Sequence, residues 1–422
     1  MNGSGDAPDP VVPTGAKSVK DPYALLRNRD FVLYLVGRFI ASFGQQMLVV
    51  VVGLEIWDRT HSKLYLGYVG LAQVLPMFLL TLPAGHVADN YNRKKVILWM
   101  QSVIGLACAG LTLISYFKAD VGWMFACLFL MGTGRVYFWA ASASFLPQLV
   151  SRPEFPRAVT WITGSFQISA VLGPVAGAAL YACMDSAVWV YALNVAAVAA
   201  CLVLVGLVRA HHKVASPEKM SFANVIAGLK FVYHKKVVLG SITLDLFAVL
   251  LGGATALLPV YADEILHVGK NGVGWLRAAL PLGSLLMSLI LVHRPPLQRA
   301  GRTLLWSVAG FGLATIGFGY SRWFWLSFAM LFICGLTDYI SVVVRHTLVQ
   351  LLTPDEMRGR VSAVNSLFIG TSNEMGEFES GLVAHWTNPL FAVVSGGVGT
   401  IVVVGVVAIL WPEIRRYGRL DA

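Results

Sequence analysis

This chain is short of charge. Only 13% of its 422 residues are charged, against 57% that are hydrophobic. That is about half the charged share of an average soluble domain. A soluble protein of this size needs more charge to cover its surface, so an ordinary cytosolic enzyme, a disordered protein and a nucleic-acid-binding domain are excluded. Cysteine is equally sparse. Cys108, Cys127, Cys183, Cys201 and Cys334 are scattered through apolar runs with no paired spacing, so neither a disulfide framework nor a zinc site or other metal centre is suggested. A Walker loop, a zincin motif and a nucleophile elbow are all missing. The chain therefore reads as no enzyme, and ATP does not drive it directly. With no cofactor implied, its energy comes from an ion gradient or from the substrate's own gradient.

What the chain has instead is apolar length. Residues 1–29 are polar, lack the apolar core of a secretory signal and read as a disordered tail. A run of about 20 apolar residues is long enough to cross a bilayer as a helix. Twelve such runs follow. The first six are roughly 31–56, 64–88, 96–117, 121–146, 156–183 and 187–209. The second six are roughly 237–261, 272–293, 303–320, 323–346, 360–384 and 389–411. The expected fold is an all-α integral membrane protein of twelve transmembrane helices in two six-helix bundles.

The net charge of +10 becomes an orientation signal once it is divided by side. With the N-terminus placed in the cytoplasm, 23 Lys and Arg fall on cytoplasmic segments and five on outer loops: Arg59, Lys63, Lys118, Lys270 and Arg322. Four remain inside spans. The positive-inside rule expects this bias and the reverse topology violates it. Both termini are thus expected in the cytoplasm, with the chain in the plasma (inner) membrane.

The sequence repeats weakly at an offset of 202 residues. Gln148-Leu149-Val150-Ser151 falls on Gln350-Leu351-Leu352-Thr353, Glu154 on Glu356, Val159 on Val361 and Phe166 on Phe368. Two parallel repeats related by an axis along the membrane normal place a substrate site near mid-membrane between them. The expected organisation is a tail (1–29), a first bundle (30–209), a cytoplasmic linker (210–236), a second bundle (237–411) and a tail (412–422). Within the linker, Ser221–Lys236 reads as an amphipathic helix on the inner surface.

Between spans two and three lies Gly85-His86-Val87-Ala88-Asp89-Asn90-Tyr91-Asn92-Arg93-Lys94-Lys95. Gly85 lets a helix end approach a neighbour. Asp89 can cap a helix or meet a cation, and the basic trio suits the anionic inner leaflet. Charge alone allows a plain positive-inside loop. The spacing, however, resembles the signature loop of the major facilitator superfamily, roughly G-x-x-x-D-x-x-x-R-K/R. Within it the chain resembles the branch of siderophore and multidrug efflux proteins that includes the enterobactin exporter. Gly37–Gly44 in span one, Pro147–Val150 after span four and Arg358–Val361 before span eleven carry that likeness. The resemblance implies that Gly85, Asp89, Arg93 and Lys94 lock the two halves on the cytoplasmic side, with Asp89 near Arg358–Val361. Asn90 stands where the family often has Arg, which weakens one arm of that lock. In span five, Gly173, Pro174 and Gly177 resemble the Gly-Pro motif of the family's antiporters. Close helix packing with a proline bend is the plainer reading.

Charge inside a span costs about 3 kcal/mol on the insertion scale, so each such residue is a candidate. Arg38, Arg135, Asp245, Asp338, Glu374 and Glu377 are the candidates for proton coupling or substrate contact. Arg135 and Asp338 lie near mid-span, Asp245 about 12 Å into span seven and Glu374 about 20 Å into span eleven. Glu374 and Glu377 share a helix face, and two neighbouring carboxyls repel when both are ionised, which suits proton carriage. Asp245 and Asp338 are too short to snorkel; their alternative is a salt bridge with an Arg such as Arg135. Arg38 and Arg277 can snorkel to an interface. Arg345, close to its helix end, reads as an interface anchor, and Glu379 as touching outer water. Gln45, Gln46, Gln73, Gln167 and Asn365 are polar candidates for a central cavity. Tyr137, Phe138, Trp139 and Trp161 could line a pocket for an aromatic substrate.

The expected function is export of a small organic molecule by alternating access in exchange for protons. By resemblance the substrate is siderophore-, drug- or amphiphile-like, and the transporter works as a monomer in the lipid bilayer without nucleic acid. The alternatives are an importer or facilitator, a lysophospholipid transporter of the same superfamily, and a non-transporting sensor on the same fold.

Overall fold

A computed structural model of the chain describes residues 24–151, 153–209, 222–293 and 298–418. Inside them the side chains of Asp89, Arg358 and several neighbours lie outside the description, as does the first part of the linker.

The described residues form helices and no strands. Hydrocarbon offers no partner to backbone N–H and C=O groups, so a spanning segment must satisfy them within itself. Spans one to six are Arg29–Thr60, Lys63–Asn90, Arg93–Tyr116, Gly122–Leu149, Phe155–Met184 and Val188–Gly206. Spans eight to twelve are Gly269–Val292, Ala300–Tyr320, Phe324–Leu352, Asp355–Trp386 and Pro389–Leu410. Asparagines start three of them: Asn28, Asn92 and Asn388 each accept from a backbone N–H of the first turn. Asn92 thus makes the signature loop a tight turn, a capping role that Asp89 seemed placed to fill.

Among the described residues, eleven helices are long and apolar enough to cross a membrane. The twelfth, span eleven, is equally long, but its Glu374, Glu377 and Glu379 lower its hydropathy. The sequence expects span seven to be continuous over 237–261, and here the structure differs. The helix Lys236–Leu251 stops at Gly252-Gly253 and restarts as a tight turn, Ala254–Leu257. A short helical turn, Leu258–Val260, and a wide turn, Tyr261–Ile265, follow. The break exists because other backbones press against it. A Cβ at Gly253 would collide with the Gly376 carbonyl of span eleven. Gly376 in turn faces the carbonyls of Val249 and Leu250, at 2.7 and 2.9 Å from an ideal Cβ.

Both halves pack by one plan. Span one lies on spans five and six, span two on span four, and span three on spans four and six. Moving every number up by six gives the pairings of the second half: seven on eleven and twelve, eight on ten, nine on ten and twelve. The halves meet through two symmetry-related seams, span two with span eleven and span five with span eight. Small residues bring the seams together. An ideal Cβ on Gly67 lies 3.0 Å from the Phe378 carbonyl and 3.3 Å from Gly381 Cα. One on Gly274 lies 2.7 Å from Ala178 Cβ and 2.8 Å from the Pro174 carbonyl.

The linker helix Phe222–His234 packs on the start of span eleven. Val232 joins Val361 and Val364 there, while Ile226, Leu229 and Tyr233 face away from the protein.

Replacing Gly253 with Val is expected to lower the melting temperature of the purified protein, by about 1–3 kcal/mol of overpacking. Gly405→Ala, where the added Cβ meets nothing within 4 Å, is the matched control and should leave it unchanged. An unaltered melting temperature in Gly253→Val would disprove the tight seam.

Candidate functional site

Between the halves lies a cavity of about 530 Å³, open space included. Residues from Leu48 to Gly53 of span one except Val51, with Leu66, Val69 and Gln73 of span two and Leu128 and Met131 of span four, wall it on one side. Thr255, Ala256, Leu258 and Pro259 just past the break in span seven, Val273 and Arg277 of span eight, and Glu377 of span eleven wall the other.

Two arginines set its electrostatics. Arg135 meets Glu374 at 2.5 Å, joining the first half to the second, and donates to Gln73 Oε1 at 3.0 Å. Its guanidinium also sits over the Trp139 ring, 5.6 Å from the centroid. Arg277 pairs with Glu377 at 3.3 Å and donates to the Thr255 carbonyl at 3.3 Å. The Thr255 hydroxyl completes this set by donating to Glu377 at 3.4 Å. The broken helix thus supplies a side chain and a backbone carbonyl, which also accepts from Leu258 N–H, at membrane depth, where interrupted helices commonly build transport sites. Arg277 is therefore a cavity residue and does not snorkel. Arg38 bonds the Tyr34 hydroxyl at 3.1 Å and lies over the Phe138 ring at 5.8 Å.

A second cluster lies wholly inside the second half. Arg345 meets Asp245 at 2.5 Å, and both are buried, at 3% and 5% exposure. Asp338 and Ser341 line the same small cavity as Asp245, walled by Val308 and Phe311 of span nine. The reading of Arg345 as an interface anchor is corrected. Span ten runs on to Leu352, so Arg345 lies two turns inside the helix. The salt-bridge partner of Asp245 is Arg345 and not Arg135, which Glu374 occupies. Losing one member of such a buried pair costs about 3–5 kcal/mol.

The signature loop bonds within its own half. Arg93 donates to the carbonyls of Ala88 and Ser144, both at 3.3 Å. Lys94 caps the end of span six through the carbonyls of Gly206 and Val208, at 2.6 and 2.8 Å. Gly85 is buried in the last turns of span two. The expected neighbour of Asp89, around Arg358–Val361, falls on side chains outside the described residues. Gly173 and Gly177 press on span one: an ideal Cβ at Gly177 lies 2.8 Å from Met47 Cα. Pro174 offers its carbonyl to Gly274 of the other half.

A rim that sequence reasoning missed seals the cavity at the end opposite the termini. Trp57 donates to Asp263 at 2.9 Å, Lys63 meets Glu264 at 3.3 Å, and Lys270 reaches Asp185 at 2.7 Å and Asp58 at 3.4 Å. Each contact joins the halves. Lys270 also lies 4.0 Å above the Tyr181 ring, whose hydroxyl donates to Asp58 at 2.7 Å. Behind them the buried Glu55 takes bonds from Tyr191 and Arg59. Lys63 and Lys270 had registered only as sparse outer charges; their spacing gives no sign of partners about 200 residues away. The cross-half bonds between described residues lie at mid-span or on this rim. Lys270 holds the exposed Asp185 carboxyl below its ordinary value, through a hydrogen bond first and charge second.

Comparison with known proteins adds a frame. The Major Facilitator Superfamily profile matches residues 34–374. The enterobactin exporter EntS of Escherichia coli is 25% identical over 394 residues, covering 92% of this chain and 93% of that one. A bacterial homologue of the iron transporter ferroportin, in its inward-facing state, superposes with a TM-score of 0.70 at 16% identity. That match covers 92% of this chain and 99% of the other. The nucleoside transporter NupG gives 0.70 at 12% identity, covering 92% and 99%.

Lys270→Gln should loosen the rim. Spin labels at Ser62 and His267, in a background with the native cysteines replaced, are expected to move to longer, broader distances in this variant. Asp185 contributes above the ordinary carboxylate value of 3.8, and its share is lost only as pH falls through the lowered value. The wild-type distances should therefore hold between about pH 5 and 8. Identical distributions in variant and wild type would show that Lys270 is no latch.

Proposed function

The chain belongs to the major facilitator superfamily, whose members are transporters and not enzymes, and we propose that it exports a small organic molecule in exchange for protons by alternating access. The observation that carries this reading is the Arg135–Glu374 pair. It ties the two halves together beside a cavity that both halves line, bonding to Gln73 of its wall. A substrate that competes for either partner loosens the tie, so occupancy and the relative position of the halves are linked.

Positive-inside charge puts the termini in the cytoplasm and the sealed rim outside, so the described state faces the cytoplasm. Span two runs antiparallel to span eleven, with Gly67 by Gly381 and Met77 by Gly370. Carried toward the loop, that register sets Asp89 level with Arg358 and Gly359. Closure on that side would bring the signature loop against the second half while the rim opens. Arg93 and Lys94 serve meanwhile as caps that keep the first half rigid.

Protons are assigned to the second cluster. Asp245 and Asp338 share one arginine, so the group is electrically neutral with one proton on its two carboxyls. Low dielectric makes a net charge there expensive. An exporter of siderophore-, drug- or amphiphile-like compounds, acting as a monomer in the inner membrane, fits the distant likeness to EntS.

Inverted membrane vesicles with an acid interior test the exchange, followed by a pH dye while siderophores, dyes and antibiotics are added singly. A substrate should discharge the gradient only when the protein is present. Asp338→Asn, which can neither take up nor release a proton there, is expected to abolish most of the discharge while a labelled substrate still binds. Entry of labelled substrate with no discharge would make the protein a facilitator and end the antiport reading.

A further inference from the structure

The charges of the central region do not balance once Arg38 is counted. Arg135 and Arg277 each meet a glutamate of span eleven. Arg38 has the Tyr34 hydroxyl and the Phe138 ring, and no carboxylate of the described residues lies within ion-pair distance. Spans one and four touch through Tyr34 and Phe145, and Arg38 meets Phe138 farther along the same pair of helices. A cation kept in a span without a counter-charge is costly on any insertion scale. Its retention calls for a partner that arrives from outside the chain.

The neighbouring residues suggest what that partner carries. On span four, Arg135, Phe138 and Trp139 share a face. Two guanidiniums therefore lie near aromatic rings of consecutive residues, Arg38 by Phe138 and Arg135 by Trp139. A guanidinium beside a ring still has N–H groups to offer a carboxylate, phenolate or phosphate oxygen. The rings at the same level offer an apolar surface to the body of such a molecule.

We infer that this site selects an acidic amphiphile, whose anionic group meets Arg38 first and then takes Arg135 from Glu374. The inference rests on the reading of the cavity as the transport site and adds the charge of its substrate. It also fixes where exchange can occur. Glu374 is faced by Arg135 from span four and Arg277 from span eight, with Glu377 on its own helix. A proton on Glu374 would release Arg135 to the anion, so proton and anion assist each other in this cavity and do not compete. Exchange then falls to the separate Asp245–Asp338–Arg345 cluster.

Tetraphenylborate and tetraphenylphosphonium are the probes, since they share shape and differ in the sign of charge. Their binding is measured by equilibrium dialysis to the full chain in lipid nanodiscs, with empty nanodiscs subtracted. The borate is expected to bind about tenfold more tightly than the phosphonium. Arg38→Gln should erase most of that preference, and Arg38→Lys should keep it. Glu374→Gln should strengthen borate binding. Equal or tighter binding of the phosphonium, or a preference untouched by Arg38→Gln, overturns the inference. The vesicle assay separates the two readings. Discharge by the phosphonium leaves the exporter reading standing and removes this one; borate bound at the site without discharge by any compound does the reverse.

Discussion

A guanidinium and a carboxylate that meet in mid-membrane hold each other there, because neither can return to water without moving its helix. Arg135 and Glu374 are such a pair, and they belong to different halves of the molecule. The low dielectric around them makes the bond strong and makes a lone survivor expensive. The cavity's polarity and the coupling of occupancy to movement both follow from that constraint. So does the polar character of span eleven, which has the length to span the bilayer but not the uniform hydropathy.

The same constraint shapes the second half. Asp245, Asp338 and Arg345 are gathered in a small space of their own, away from the cavity. Two acids and one base differ in kind from the arginine–glutamate pairs at the interface of the halves. Backbone plays a comparable part at Gly252-Gly253. Span seven gives up helical hydrogen bonds there, and the neighbouring glycines of spans eleven and twelve close over the gap. The carbonyl of Thr255 accepts both Leu258 N–H and Arg277. The rim of Trp57, Lys63 and Lys270 works differently. Its bonds are partly in water and therefore individually weak, which suits contacts that form and break in each cycle.

Much of this was legible in the chain. The apolar runs locate most spans to within a few residues; the seventh, the end of the tenth and the start of the eleventh depart further. The tenth is expected to end at 346, whereas the helix continues to Leu352 with the arginine turned inward. The seventh is expected to be continuous, because its hydropathy does not register the backbone contacts that break it at Gly252-Gly253. The intramembrane charges were found by their cost alone, and Glu374, Glu377, Asp245 and Asp338 all proved to line cavities or contact charged partners.

Sequence by itself determined the membrane-spanning all-α class, the duplication and the short list of charges that needed explaining, because hydropathy and charge cost are properties of single residues and short windows. Only the tertiary structure decided the pairings. Arg135 chose Glu374 over an aspartate, Arg345 chose Asp245, and Lys270 found Asp58 and Asp185. Each pairing spans between about 85 and 240 residues, and a bond's geometry at that separation depends on how whole helices pack, which no local pattern encodes.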